Sequence, residues 1–315
     1  MDETPIRTLT VASTAGLCNR LRVLLSGIAL AEATGRQFTM LWPHTEACSA
    51  AFDGLFALPW PVCVASAEEI EALEHWDQHK RQTLDLLTAD SADIRFQTWS
   101  WLLVPSRFPA HRALMVRCAQ LLASMQPTVE IQARINAFRD NSFRPQMIGV
   151  HLRRADMRFL YPLSATNTDS AMAAVDAYLD CSPDAGVLLC TDDGAVNQHS
   201  GQTLATEGLH TKFVQRYGER VVYTCPRSLD RREPAAIQDA VVDLWLLRKT
   251  DYFVGTAASS FSEMAALGRG IPRTMCRSEH PLRHLIPLRD WLQGQTSLKR
   301  LARYYWRLIR LPAAR

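Results

Sequence analysis

The chain has 315 residues, 47% of them hydrophobic and 21% charged, with a formal net charge of +3. That length suffices for two domains with separate cores, and the composition excludes wholesale disorder. Lys299, Arg300, Arg303, Arg307, Arg310 and Arg315 crowd the acid-free tail 298–315, so removing these six charges from +3 leaves the remainder at −3, which argues against a basic body for nucleic acid.

In chain order, an apolar strand is expected near Leu9 to Ser13, followed by the small-residue loop T-A-G-L-C. Asn19 then opens a helix in which Leu21, Leu24, Leu25, Ile28 and Ala31 recur at helical spacing, and Gly35 is placed to end it. A second strand, F-T-M-L-W, closes at Pro43 and completes a β-loop-α-β unit, the element of a parallel sheet. Residues 45–140 are less regular, with helices expected around Ala67–Glu74 and Ala110–Leu122. Phe143-Arg144-Pro145 reads as the crossover between halves. We therefore expect an N-terminal domain over 1–145, a C-terminal domain over 146–297 and a separate tail over 298–315.

After the crossover, strands and helices alternate. Met147–Val150 is a buried strand, Val187–Thr191 another, Glu207–Tyr217 a helix, Arg220–Cys225 a strand, Ala235–Lys249 a helix, Tyr252–Gly255 a strand, and a helix begins near Ser260. This alternation predicts doubly wound, parallel α/β architecture. No C-x-x-C pair occurs among the eight cysteines, so neither a zinc site nor a disulfide framework is expected, and a reducing cytoplasm fits. The opening M-D-E-T-P has no apolar run behind it, so no secretory signal is expected, and no apolar stretch reaches the roughly 18 residues of a bilayer span.

The densest chemistry is M-I-G-V-H-L-R-R-A-D, Met147 to Asp156. A buried strand ends in His151, Arg153 and Arg154, and ligands of open α/β sheets collect at the carboxyl ends of strands. A guanidinium fork matches phosphate oxygens two at a time, so two arginines here suggest a diphosphate, with Asp156 near enough to orient one of them. A lone R-x-D would be a surface ion pair; the strand and the second arginine favour an anion site.

Three further places carry chemistry. Gly255 to Glu263, G-T-A-A-S-S-F-S-E, runs from a strand end through small residues into a helix start, where free N–H groups bind anions; Ser260-x-x-Glu263 also reads as a plain capping box, and the two roles are compatible. Asp243 lies in the apolar run A-V-V-D-L-W-L-L and must find partners. Guanine, with two adjacent N–H donors, is one candidate and a buried arginine pair is the other. Asn19, in G-L-C-N-R-L-R, reads in isolation as an N-cap.

Taken together and in this order, G-L-C-N-R-L-R, H-L-R-R-A-D and D-L-W-L-L-R-K-T-D-Y-F-V-G-T-A-A-S-S-F-S-E resemble the fucosyltransferase superfamily. That group includes the nodulation and core α1,6-fucosyltransferases, the bacterial α1,2 enzymes and the protein O-fucosyltransferases. A-L-A-E-A-T-G-R-Q-F-T-M-L-W is particularly similar to the nodulation and α1,6 branch; the likeness covers about residues 10–45 and 145–270. It implies a GT-B-like pair of facing Rossmann-like domains and an inverting, metal-independent transferase that moves fucose from GDP-fucose to a glycan. Arg153 would bind the β-phosphate with Arg154 assisting; His151 and Asp243 would hold the guanine; Ser259, Ser260 and Phe261 would line the phosphate and fucose end. Asn19 would face the diphosphate from the N-terminal domain, and Asp192 would lie at a neighbouring strand end.

The physical chemistry agrees. Charge builds on a departing diphosphate, and fixed arginines with helix N–H groups can meet it without a cation; no Asp-x-Asp pair, the usual metal anchor, occurs. The sequence departs from the family at Cys18, where a small residue is common, and lacks the glutamate that the O-fucosyltransferases place in that loop. The segment M-R-F-L-Y-P-L-S also lacks the acid of the α1,6 enzymes, which leaves Asp156 as the nearest carboxylate for a general base. Rival readings are a transferase for another nucleotide sugar and a non-catalytic GDP-sugar-binding protein; no P-loop appears. The tail alternates Tyr304, Tyr305, Trp306, Leu308, Ile309 and Leu311 with arginines, which suits either an interfacial helix on anionic lipid or one docked on the body. The former would place the enzyme on the inner face of the cytoplasmic membrane, acting on a lipid-linked acceptor in surface polysaccharide synthesis.

Overall fold

A computed structural model describes residues 6–57, 59–75, 89, 91–154, 168–193 and 208–276. Asp156 and the tail 298–315 lie outside the described residues.

The first expected unit forms. Strand β1 (Thr8–Ala12) leads through a short loop into helix α1 (Leu17–Thr34) and back into β2 (Gln37–Trp42). Leu21, Leu24 and Leu25 are fully buried, as their spacing requires. Gly35 ends α1 at φ 61°, ψ 37°, a left-handed turn that glycine adopts without a Cβ clash, and its N–H and that of Arg36 return to carbonyls of the last turn. At the other end the capping position is Gly16, not Asn19, which sits inside the first turn. Among the described residues no side chain caps this end, and no acid occupies its first turn.

The less regular stretch contains more order than its pattern announces. Beyond α2 (Ala67–Glu71) and α3 (Pro109–Ser124), it holds β3 (Val62–Val64), β4 (Asp93–Gln97) and α4 (Val129–Ser142). β3, β2, β1 and β4 lie side by side in that order, all parallel.

The second sheet is drawn from residues after 146. It comprises β5 (Met147–Leu152), β6 (Gly186–Thr191), β7 (Val221–Val222), β8 (Tyr252–Thr256) and β9 (Arg273–Cys276) in the parallel order β7-β6-β5-β8-β9. Helices α5 (Thr168–Leu179), α6 (Leu209–Tyr217), α7 (Pro234–Leu247) and α8 (Ser260–Ala266) connect them. The strand expected over Arg220–Cys225 is only the two residues of β7, because Gly218–Arg220 is a 3-10 turn and the chain leaves the sheet edge after Val222.

In both sheets the chain reverses its direction of travel once, between β1 and β4 and between β5 and β8. Crevices at such switch points are where doubly wound sheets bind ligands. A continuous apolar core joins the two halves: Phe56 meets Trp245 with ring centroids 5.4 Å apart, and α1 packs on α8. This is the α/β, GT-B-like architecture expected from the sequence.

Candidate active site

Every β5 residue is buried, so the strand pushes its polar end to the switch point beside β8. There the ends of β5 and β8 and the start of α8 are cross-linked by two hydroxyls. Thr256 Oγ1 donates to the His151 carbonyl at 3.1 Å and accepts the Arg153 N–H at 3.0 Å. Ser262 Oγ accepts the Thr256 N–H at 3.0 Å and lies 2.7 Å from His151 Nδ1. The His151 ring stacks on Phe261 with centroids 4.6 Å apart and planes at 24°. Burial, reinforced by the Arg153 charge, lowers the imidazole pKa to about 3, so His151 is neutral.

His151, Arg153 and Phe261 line a cleft of about 1000 Å³, including the solvent in its mouth. One wall is the start of α1, with Gly16, Cys18 and Asn19; the opposite wall carries His151, Arg153, Ser260 and Phe261. Burial raises the Cys18 thiol to about 12, opposed by the nearby charges of Arg22 and Arg153. Among the described residues no side chain caps α1, and the positive end of the helix, with Gly16, Leu17 and Cys18, opens onto the same space.

The far end of the cleft holds two carboxylates one turn apart on α7, and they are treated differently. Asp239 is the arginine-paired one: Arg134 and Arg227 lie at 2.6 and 2.8 Å, and the Arg227 N–H adds a bond at 2.5 Å. Among the described residues Asp243 takes a single hydroxyl, Thr224 Oγ1 at 2.5 Å. Burial, with the Asp239 charge adding to it, raises the Asp243 pKa to about 7 despite that bond. The buried arginine pair considered for Asp243 thus belongs to Asp239.

The predicted residues do not all converge. Asn19, His151, Arg153, Asp192, Asp243, Ser260 and Phe261 line the cleft. Ser259 does not: it is buried, and its hydroxyl caps α8 by accepting the Ser262 N–H. This corrects the expected Ser260–Glu263 capping box, whose glutamate turns instead to the first half, where Arg22 Nη2 lies at 2.5 Å and Trp101 Nε1 at 3.2 Å. Arg22 also donates to Asn19 Oδ1 at 3.2 Å. Arg154 is absent from the cleft lining; its N–H donates to Asp192 Oδ1 at 2.6 Å. Asp156 and its orienting role fall outside the described residues.

Sequence reading missed four participants. Arg231 lines the cleft from the loop before α7, a second cation near Arg153's space. Thr256, Ser262 and Thr224 act through hydrogen bonds to partners 105, 111 and 19 positions away, which no local pattern announces. Arg20, the first of two arginines in the first motif, is fully buried and structural: it bonds the carbonyls of Ala15 and Pro43 and the Thr45 hydroxyl and lies over Trp42, holding the loop that faces the cleft.

No family model matches this chain, and no curated protein matches it in sequence. Solved structures do match. The Bradyrhizobium α-1,6-fucosyltransferase NodZ, soaked with GDP-fucose, superposes at TM-score 0.54 with 18% identity over 83% of this chain and 92% of its own. POFUT1 in complex with GDP-fucose gives 0.51 and 12%, over 87% and 99%. A mutant of Arabidopsis thaliana FUT1 in complex with GDP gives 0.53 and 14%, over 86% and 71%. The fold is that of the fucosyltransferases. In a fucosyltransferase fold built of two switch-point crevices, the cleft between α1 and the β5–β8 pair is where both halves contribute polar groups to one space.

Proposed function

We propose that this protein is a glycosyltransferase that binds GDP-fucose in this cleft and transfers the fucose, with inversion and without a divalent cation, to a glycan. One observation carries the reading. The cleft has a cationic end, where Arg153, Arg231 and the α1 N-terminus gather around Cys18, and a carboxylate end, where Asp243 has the Thr224 hydroxyl as its one hydrogen-bond partner among the described residues. A guanosine diphosphate has the complementary polarity: phosphates at one end, and at the other a base edge with two adjacent N–H donors. The solved relatives bound to GDP or GDP-fucose support the same assignment.

In this reading Arg153 and the α1 N–H groups stabilise charge as it grows on the departing diphosphate, with donors already in place and no reorganisation at the moment of bond breaking. The apolar lining, with Leu17, Leu229 and Ile237, limits water at the anomeric carbon. Asp156 remains the candidate base.

Titration with GDP and UDP tests the donor class. GDP should bind at least tenfold more tightly, because uracil offers one N–H where guanine offers two; equal affinities would remove the guanine reading. Release of GDP from GDP-fucose that stays at background with every glycan acceptor, alongside tight GDP binding, would leave a binding protein and not an enzyme.

The tail 298–315 we propose to rest on anionic lipid, supported by its six cations interleaved with aromatic and aliphatic residues. Vesicles containing phosphatidylserine should bind the full chain and not the chain truncated at 297; no binding by the full chain removes the membrane setting and, with it, the support for a lipid-linked acceptor.

A further inference from the structure

We infer that Ser262 is a positioning residue for nucleotide recognition: its hydroxyl donates to His151 Nδ1 and fixes the imidazole with its proton on Nε2, the nitrogen left for the cleft. The consequence for recognition rests on the guanine reading above; the tautomer itself does not.

Ser262 is fully buried. Its oxygen already receives the Thr256 N–H at 3.0 Å and stands 2.7 Å from His151 Nδ1. Were Nδ1 protonated, the serine would face two N–H donors and its own proton would be buried with no acceptor, since its oxygen makes no other hydrogen bond among the described residues. Placing that proton on the line to Nδ1 satisfies all three groups. The imidazole is neutral, as burial beside Arg153 dictates, so its one hydrogen then resides on Nε2. Nε2 has no hydrogen-bond partner among the described residues, and His151 lines the cleft. Phe261, stacked on the ring, holds its plane, and Thr256 anchors its carbonyl.

The cleft therefore presents one N–H donor from His151 together with acceptors from Asp243. Guanine's edge carries the matching set, an acceptor oxygen beside two N–H donors. Adenine's edge carries an amine where that oxygen would be, so the fixed donor meets a donor. With the other tautomer the same ring would reverse that preference. A buried serine on α8, with no contact to ligand, thus sets which purine the histidine accepts.

Histidine-selective 15N labelling, with His151→Gln to assign the signal, tests this in the ligand-free protein. The expected spectrum shows Nδ1 as an unprotonated, pyridine-type nitrogen and Nε2 protonated, unchanged from about pH 5 to 8. Ser262→Ala should average the two tautomers, weaken GDP about tenfold and shrink the GDP-over-ADP preference, whereas Ser262→Thr, which retains the hydroxyl, should restore all three. A proton on Nδ1 in the wild type, or a wild-type spectrum in Ser262→Ala, overturns the assignment. The expected tautomer in a protein that does not bind GDP would sink the recognition role and the guanine reading, and leave the tautomer standing.

Discussion

Asp239 and Asp243 show what sequence can and cannot say about a single side chain. Both are aspartates on α7, four positions apart, and an apolar run announces only that each must find partners. Which one takes the arginines depends on Arg134, about 100 positions earlier, and Arg227, in a loop; the answer lies in tertiary geometry. Asp243, held near neutrality by burial, makes two opposed predictions. Its folded pKa of about 7 lies above the unfolded value of 3.8. From pH 4 to 7 the native state therefore retains a proton that the unfolded chain releases, and ligand-free stability falls as pH rises through that window. Guanine needs the ionised form, so GDP affinity should rise with pH up to about 7, by as much as tenfold per unit, and then level. Asp243→Asn should lose GDP binding and its pH slope while gaining about 1–2 kcal/mol of ligand-free stability at pH 8. Calorimetry and thermal melts across pH check both; a wild-type GDP affinity flat from pH 5 to 8 contradicts the role given to Asp243.

Among elements, those with a strong period were legible and those held by partners were not. β5, α1 and α7 are apolar enough to be read directly, and with them came His151, Arg153 and Asp243. β4, D-I-R-F-Q, buries only Phe96 fully and exists because it registers on β1; α4 buries only Ile131 and Ile135 fully and is held against α7 in part by Arg134. Neither had a stripe wide enough to read. Capping was misread for a similar reason. Ser259 and Ser260 are equivalent in sequence, and only the position where β8 ends decides which of them caps α8. Close packing within β5 yields a further prediction. A Cβ on Gly149 would lie 2.6 Å from Thr250 Oγ1 and 3.0 Å from Leu247 Cδ2, so the arginine strand tolerates no side chain there. Gly149→Ala should cost about 1–3 kcal/mol in denaturant unfolding; a neutral result would mean that β5 and the turn after α7 sit farther apart than described.

For the whole molecule, the question is how two sheets present one site. An apolar core runs between them, and Arg22 to Glu263 ties α1 to α8 beside the cleft, with Trp101 and Asn19 attached. Glu263 is 38% exposed, so solvent screening keeps the pair modest. A double-mutant cycle with Arg22→Ala and Glu263→Ala should give a coupling of about 0.5–1 kcal/mol in stability, and each single variant should raise the KM for donor more than it lowers kcat. Zero coupling would mean that the apolar core alone holds the halves in register.

In the proposed reaction, side-chain cations and peptide dipoles grip the diphosphate without a metal ion. Calorimetric titration of GDP in excess chelator, wild type against Arg153→Ala, tests it most directly. Wild-type binding should be unaffected by the chelator, and the variant should lose about 100-fold or more, the size expected when a charge-assisted bidentate contact is removed. Binding that vanishes with the chelator, or that survives intact in Arg153→Ala, would contradict it.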